Sequence, residues 1–181
     1  MGERIAVAAD TNSGITAEEA KAWGVTLIPM PFFIDGKVYY EGRTLTQADF
    51  YRHLEQNTEI STSQPAPGEV IETWEGLLKH YDRVIYIPMS SGLSSSAASA
   101  RLLAEDFDGK VLVVDNKRIS ATQRQAVLDA LYFVKQGLAA EKIRDILEQT
   151  GLDASIFITV DTLKYLQKGG RITPAAAAVG S

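Results

Sequence analysis

The chain has 181 residues, 45% of them apolar, with a net charge of −5 and a pI near 5.1. It is long enough and apolar enough to bury a core, and it offers no basic face to nucleic acid. With no cysteine and only two histidines, His53 and His80, it excludes a disulfide framework, a thiolate zinc site and an imidazole-rich metal centre.

Strand-like and helix-like patterns alternate along the chain. "RIAVAAD" (4–10) is a short apolar β run. "TAEEAKAWG" (16–24) opens with Thr16 and Glu19 in capping-box spacing and stops at Gly24. "VTLIPMPFFI" (25–34) reads as extended, and Pro29 and Pro31 favour an edge or irregular strand. "DGK" turns into "VYY", and a Thr cap then leads into a helix over 46–56. "PGEVIETWEGLLKHY" (67–81) is amphipathic, with Val70, Trp74, Leu77 and Leu78 on one stripe. "RVIYIPM" (83–89) reads as a buried strand, 93–107 as a helix, and "KVLVVD" (110–115) as the next strand. Helices over 122–137 and 139–151 follow, and "ASIFITV" (154–160) reads as a further strand.

This alternation predicts an α/β fold, a mainly parallel sheet with helices on both faces. The sheet is expected to use 4–9, 83–88, 110–114 and 154–160. The ending "LKYLQKGGRITPAAAAVGS" opens a small-residue helix after Thr173 and Pro174 that has little to pack against. The expected organisation is therefore a first domain over 1–160, followed at 161–181 by the start of a second, incomplete α/β domain. The segment after about 160 is expected to project from the sheet. No apolar run approaches the roughly 20 residues a membrane span needs. The N-terminus opens directly on a strand without a signal peptide. The expectation is a cytoplasmic protein that is not an integral membrane protein.

Ligands of parallel α/β sheets bind beyond the carboxyl ends of the strands. Four loops fit that position: "DTNSG" (10–14), "STSQPAPG" (61–68), "SSGLSSS" (90–96) and "DNKRIS" (115–120). All are rich in hydroxyls and amides, and the second and third hold no charge at all. Serine, threonine and asparagine also cap helices, which explains one such loop. Five serines between Ser90 and Ser96 exceed what one cap needs. Neutral donors beside helix N-termini suit a small anion such as a carboxylate or phosphate.

Neither a P-loop nor G-x-G-x-x-G occurs, and "KGGR" (168–171) lacks the spacing of the former, so no nucleotide cofactor is expected. "GLSSS" (92–96) is close to the nucleophile elbow G-x-S-x-G, but Ser96 stands at the last glycine. No histidine follows His80 to complete a triad in the usual order. Asp10 ends a strand where a catalytic carboxylate could stand, but "DTN" lacks the second acid of a phosphotransferase pair.

"TSQPAPGE" (62–69), "SSGLSSSAASA" (90–100), "VVDN" (113–116) and "DTLKYLQKGGRIT" (161–173) resemble the signature blocks of the DegV family of bacterial fatty-acid-binding proteins. "DTNSGIT" (10–16) is similar to that family's N-terminal block. The blocks occur in the family's order and span nearly the whole chain. The serine loop departs from the family's Ser-Gly-Thr-Tyr, running Ser94, Ser95, Ser96, Ala97.

The resemblance implies a carrier of one long-chain fatty acid, some members presenting its carboxylate to a separate fatty acid kinase. It places Thr62 and Ser94 on the carboxylate, with Ser63 beside them, and Arg171 near a domain junction. Thr62 and Ser94 are accordingly expected to reach one point. The alternatives are a serine-dependent enzyme on an acyl or phosphate ester, using Ser94, and a regulatory protein without an obligate ligand.

Overall fold

The structure is a computed structural model and describes residues 2–40, 43–56 and 58–179. In chain order the elements are β1 (Ile5–Asp10), α1 (Ala17–Trp23), β2 (Val25–Ile28), β3 (Pro31–Ile34), β4 (Lys37–Tyr40), α2 (Gln47–Glu55), β5 (Ile60–Thr62) and α3 (Pro67–Leu78). They continue as β6 (Arg83–Ile87), α4 (Ser96–Ala104), β7 (Val111–Val113), α5 (Ser120–Lys135), α6 (Ala140–Gln149), α7 (Lys164–Lys168) and α8 (Pro174–Val179). The chain up to Met30 together with Gln64–Ser155 makes one compact unit. Pro31–Ser63 and the chain from Ile156 onward make another.

The first unit holds a parallel sheet in the order β2-β1-β6-β7. Successive side chains leave its strands on opposite faces. Ile5, Val7 and Ala9 of β1 and Ile85 and Ile87 of β6 pack with Ala126, Val127 and Ala130 of α5 and Ile143 and Leu147 of α6. Ala6 and Ala8 with Val84 and Tyr86 pack on the other face, against Val70 and Trp74 of α3 and Ala100 of α4. Trp74 is fully buried and meets the Tyr86 and Phe107 rings edge-on at 5.7 and 5.5 Å. Helices therefore cover both faces, as the alternation predicts.

Local chemistry fixes the helix ends. Thr16 accepts from the Glu19 amide at 3.2 Å and Glu19 accepts from the Thr16 amide at 3.0 Å, a complete capping box. Gly24 closes α1 in the left-handed conformation. Pro67 stands at the first position of α3, where its missing N–H costs no hydrogen bond.

The second unit holds an antiparallel sheet in the order β4-β3-β5. The Asp35-Gly36 turn between β3 and β4 has φ of 48° and 75°, the two positive values a tight hairpin of this hand needs. Phe32 of β3 packs edge-on against Phe50 of α2 at 5.2 Å. Thr173 caps α8 by accepting from the Ala176 amide at 3.1 Å.

Three details correct the sequence reading. Residues 154–160 form no strand: the fourth place in the parallel sheet belongs to β2, at the edge beside β1. Phe157 and Ile158 are 96% and 61% exposed. Their β-branched and aromatic character measures fit to a half-buried sheet, and no ladder partner meets them among the described residues. The extended run 25–34 is divided between two sheets, β2 in the parallel one and β3 in the antiparallel one. The helix placed at 93–107 begins at Ser96, because residues 91–93 form a turn. The last two residues of the predicted 161–181 segment lie outside the described residues.

Candidate functional site: the serine loop and the Thr62–Arg171 pair

Ser90 to Ser95 link the carboxyl end of β6 to the N-terminus of α4. Every amide from Met89 to Ser94 has an acceptor. Met89 donates to Asp10 Oδ2 at 2.7 Å, Ser90 to the Arg118 carbonyl at 2.9 Å, and Ser91 to Asp115 Oδ1 at 3.2 Å. Gly92 donates to Ser90 Oγ at 3.2 Å, and Leu93 and Ser94 donate to the Ser90 carbonyl at 3.0 and 3.2 Å.

Ser94 Oγ in turn accepts from the Ser96 amide at 3.1 Å. That bond uses a lone pair of the hydroxyl and leaves its proton free to be donated. The first turn of α4 carries no acidic side chain, so the positive end of its dipole is not neutralised from within. Ser96 Oγ is buried without a hydrogen-bond partner. It borders a small, mostly apolar crevice of about 10 Å³, with Pro65, Val70, Tyr86, Ala100 and Leu103. Gln64 lies on the same crevice and accepts from Ser99 Oγ of α4 at 2.9 Å.

Behind the serine loop lies a buried polar layer that the sequence reading missed. Asp10 is wholly buried; its Oδ1 accepts from the Asn12 amide and from Gln123 Nε2, both at 3.1 Å. Burial pushes its carboxyl pKa up, against the lowering by the Met89, Gln123 and Asn12 donors. Gln123, also fully buried, donates to the Ile87 carbonyl at 3.0 Å as well. Burial works against the Asp115 carboxylate too, but the bonds from Lys117 and Ser91 outweigh it and hold the group below the ordinary range. Arg118 turns inward and donates to the Thr150 and Gly151 carbonyls at 2.6 and 3.1 Å, capping α6. Asp10 carried a sequence signal as a carboxylate ending a strand, and Asp115 and Arg118 lie in the fourth hydroxyl- and amide-rich loop; their pairing did not, since Gln123 and Arg118 act across 113 and 33 positions.

In the other unit, Thr62 is the last residue of β5 and pairs with Phe32. Its hydroxyl is exposed and accepts from Arg171 Nη2 at 3.0 Å. Two of the four predicted site residues are therefore in direct contact. Ser63, also exposed, donates its amide to the Pro31 carbonyl at 3.2 Å. Ser94, the fourth, belongs to the first unit and is held by the bonds given above. Among the described residues no group of three or more acidic or histidine side chains could hold a metal ion, and no helix is long and apolar enough to cross a membrane.

The family profile "uncharacterised protein, DegV family" matches residues 4–181. The chain belongs to the DegV family. A DegV domain-containing protein of Deinococcus radiodurans is 35% identical over 177 residues, covering 97% of this chain and 63% of that protein. Among solved structures, a DegV family protein from Thermus thermophilus described for its fatty acid binding superposes with a TM-score of 0.89. It is 28% identical, and the match covers 98% of this chain and 64% of that one. DegV from Bacillus subtilis, described as a fatty acid binding protein, is 31% identical with a TM-score of 0.83, covering 99% of this chain and 64% of that one. The chain thus spans less than two thirds of the length of these DegV relatives.

Proposed function

We propose that this chain is the fatty-acid-holding part of a carrier. The carboxylate of one long-chain fatty acid accepts hydrogen bonds from Thr62 and Ser94, with Ser63 beside them and Arg171 acting through Thr62. The observation that carries the reading is the serine-lined, acid-free N-terminus of α4 in a chain whose solved DegV relatives are described as fatty acid binding. Both hydroxyls already accept a hydrogen bond, from Arg171 and from the Ser96 amide, so each has its own proton to give to an anion.

The energetics suit a carrier. Each buried methylene contributes about 0.8 kcal/mol, so a sixteen-carbon chain gathers roughly 10 kcal/mol before association costs. The head group needs only to avoid a desolvation penalty, which neutral donors and a helix N-terminus supply. A head group held without a buried counter-charge is also one that can be handed on. We assign that hand-over to a fatty acid kinase, which phosphorylates the carboxylate while this protein holds the chain, and we assign no catalytic step to the protein itself. The same reading treats the protein as cytoplasmic. The expected single domain over 1–160 gives way to the division described above, in which Pro31–Ser63 belongs with the chain from Ile156 onward.

Palmitate titration of the wild type, Thr62→Val and Ser94→Ala tests it. Weakened binding in both variants, with folding retained, supports the reading; equal affinity in all three removes the carboxylate assignment.

A further inference from the structure

The serine loop is pinned by two carboxylates from opposite sides. Asp10 comes from β1 and Asp115 from the end of β7, the two strands that flank β6. Asp10 takes the Met89 amide and Asp115 the Ser91 amide, on either side of the Ser90 amide that bonds the Arg118 carbonyl. Asp10 is wholly buried and the Asp115 side chain is 4% exposed.

Burying a carboxylate is costly unless its lone pairs are well used. Core filling alone asks for no charge here, since Gln123 beside Asp10 is neutral and fully buried. A carboxylate does offer what a neutral side chain of this size does not: acceptors for three N–H groups at once, in the stronger charge-assisted form. Asp10 uses that capacity on Met89, Asn12 and Gln123, which joins the loop after β1 and the helix α5 to Met89, the residue just before the serine loop.

We propose that Asp10 and Asp115 are positioning residues for the ligand head group, holding the Met89 and Ser91 amides so that the loop presents the Ser94 hydroxyl ready to donate. The inference rests on the reading of Ser94 as a head-group donor. Neither carboxylate touches the ligand; both act through the backbone of the loop. Preorganising a donor in this way lowers the ordering cost that binding otherwise meets.

The test pairs Asp10→Asn with Asp115→Ala and Asp115→Asn, and uses Asp82→Asn as a control. Asp82 bonds Arg4, outside this network. In Asp10→Asn one of the three donors faces an amide NH2 instead of an oxygen. Asp115→Ala removes the acceptor for Ser91, and Asp115→Asn returns an oxygen to it. Two readouts are taken: amide hydrogen exchange across residues 89–94, and palmitate affinity.

The expected result is about tenfold faster exchange confined to the loop, and about tenfold weaker palmitate binding, in Asp10→Asn and Asp115→Ala. Asp115→Asn recovers both, and Asp82→Asn changes neither. A merely structural role gives instead a general loss of protection with palmitate affinity unmoved, and that result overturns the proposal. So does unchanged exchange in the loop. Should Asp10→Asn fail to fold, the two Asp115 variants decide alone. A wild type that takes up no palmitate removes the carrier reading, while loop exchange still decides whether the carboxylates are its anchors.

Discussion

Arg171 donates to the Thr62 hydroxyl at 3.0 Å, joining two exposed residues 109 positions apart. A guanidinium cannot accept a hydrogen bond, so Thr62 is the acceptor in this contact and its own proton stays available to another partner. A polar surface pair of this kind contributes little to stability. Its chemical effect is to leave the Thr62 proton free to be donated.

Thr62→Val keeps the side-chain shape and removes the donor. The expected cost is about 1–3 kcal/mol in fatty acid affinity, because a buried ligand acceptor loses its partner. The melting temperature stays near wild type, since the hydroxyl is exposed and belongs to no core. Calorimetric titration beside a thermal melt checks both halves. A drop in melting temperature with unchanged affinity reduces Thr62 to a structural residue.

Arg171→Ala is expected to weaken binding through Thr62. The double variant then loses less than the sum of the two single losses, with a coupling on the order of 0.5–3 kcal/mol. A double-mutant cycle measures this directly. Strict additivity means that Arg171 does not act on the ligand by way of Thr62.

Arg124 forks onto Glu19, with Nη1 at 2.7 Å and Nη2 at 2.5 Å from its two oxygens. This pairing, helped by the Thr16 amide, lowers the Glu19 pKa from 4.5 to about 2. A depressed carboxyl pKa adds stability that is complete above 4.5 and is lost as the pH falls toward about 2. The gap in melting temperature between wild type and Glu19→Gln should therefore be widest near neutral pH and close on acidification. A gap that stays constant over that range contradicts the assignment.

Gly151 lies against the Asn116 backbone, and a Cβ there would run into the Asn116 carbonyl. Its own carbonyl receives Arg118 Nε at 3.1 Å. Gly151→Ala is expected to lower stability by about 1–3 kcal/mol by forcing the chain ends of α6 and β7 apart. Denaturant unfolding reads the loss. A variant as stable as wild type shows that this approach can relax freely.

Much of the parallel layer was legible in the sequence. The strands of β1, β6 and β7 stand out as short apolar runs, and the Thr16–Glu19 box and Gly24 mark both ends of α1. The run 154–160 misled because strand character depends on a partner the sequence does not name. Of the site, the hydroxyl loops and the residues Thr62, Ser94 and Arg171 were visible through their blocks. Asp10 stands out in the sequence as a strand-end acid opening a hydroxyl-rich loop, but not by its partners, since Met89 and Gln123 lie 79 and 113 positions away. Long-range polar pairing has no local pattern, so the layer that anchors the serine loop emerges only from the fold.

The proposed hold on a fatty acid by its carboxylate can be read on the loaded protein itself. Native mass spectrometry of protein purified without detergent, followed by palmitate titration of Thr62→Val and Ser94→Ala, tests it most directly. The expected result is an added mass equal to one fatty acid on the wild type and a reduced share of loaded protein in each variant. A wild type that stays unloaded at saturating palmitate, or variants loaded to the same extent as wild type, would contradict it.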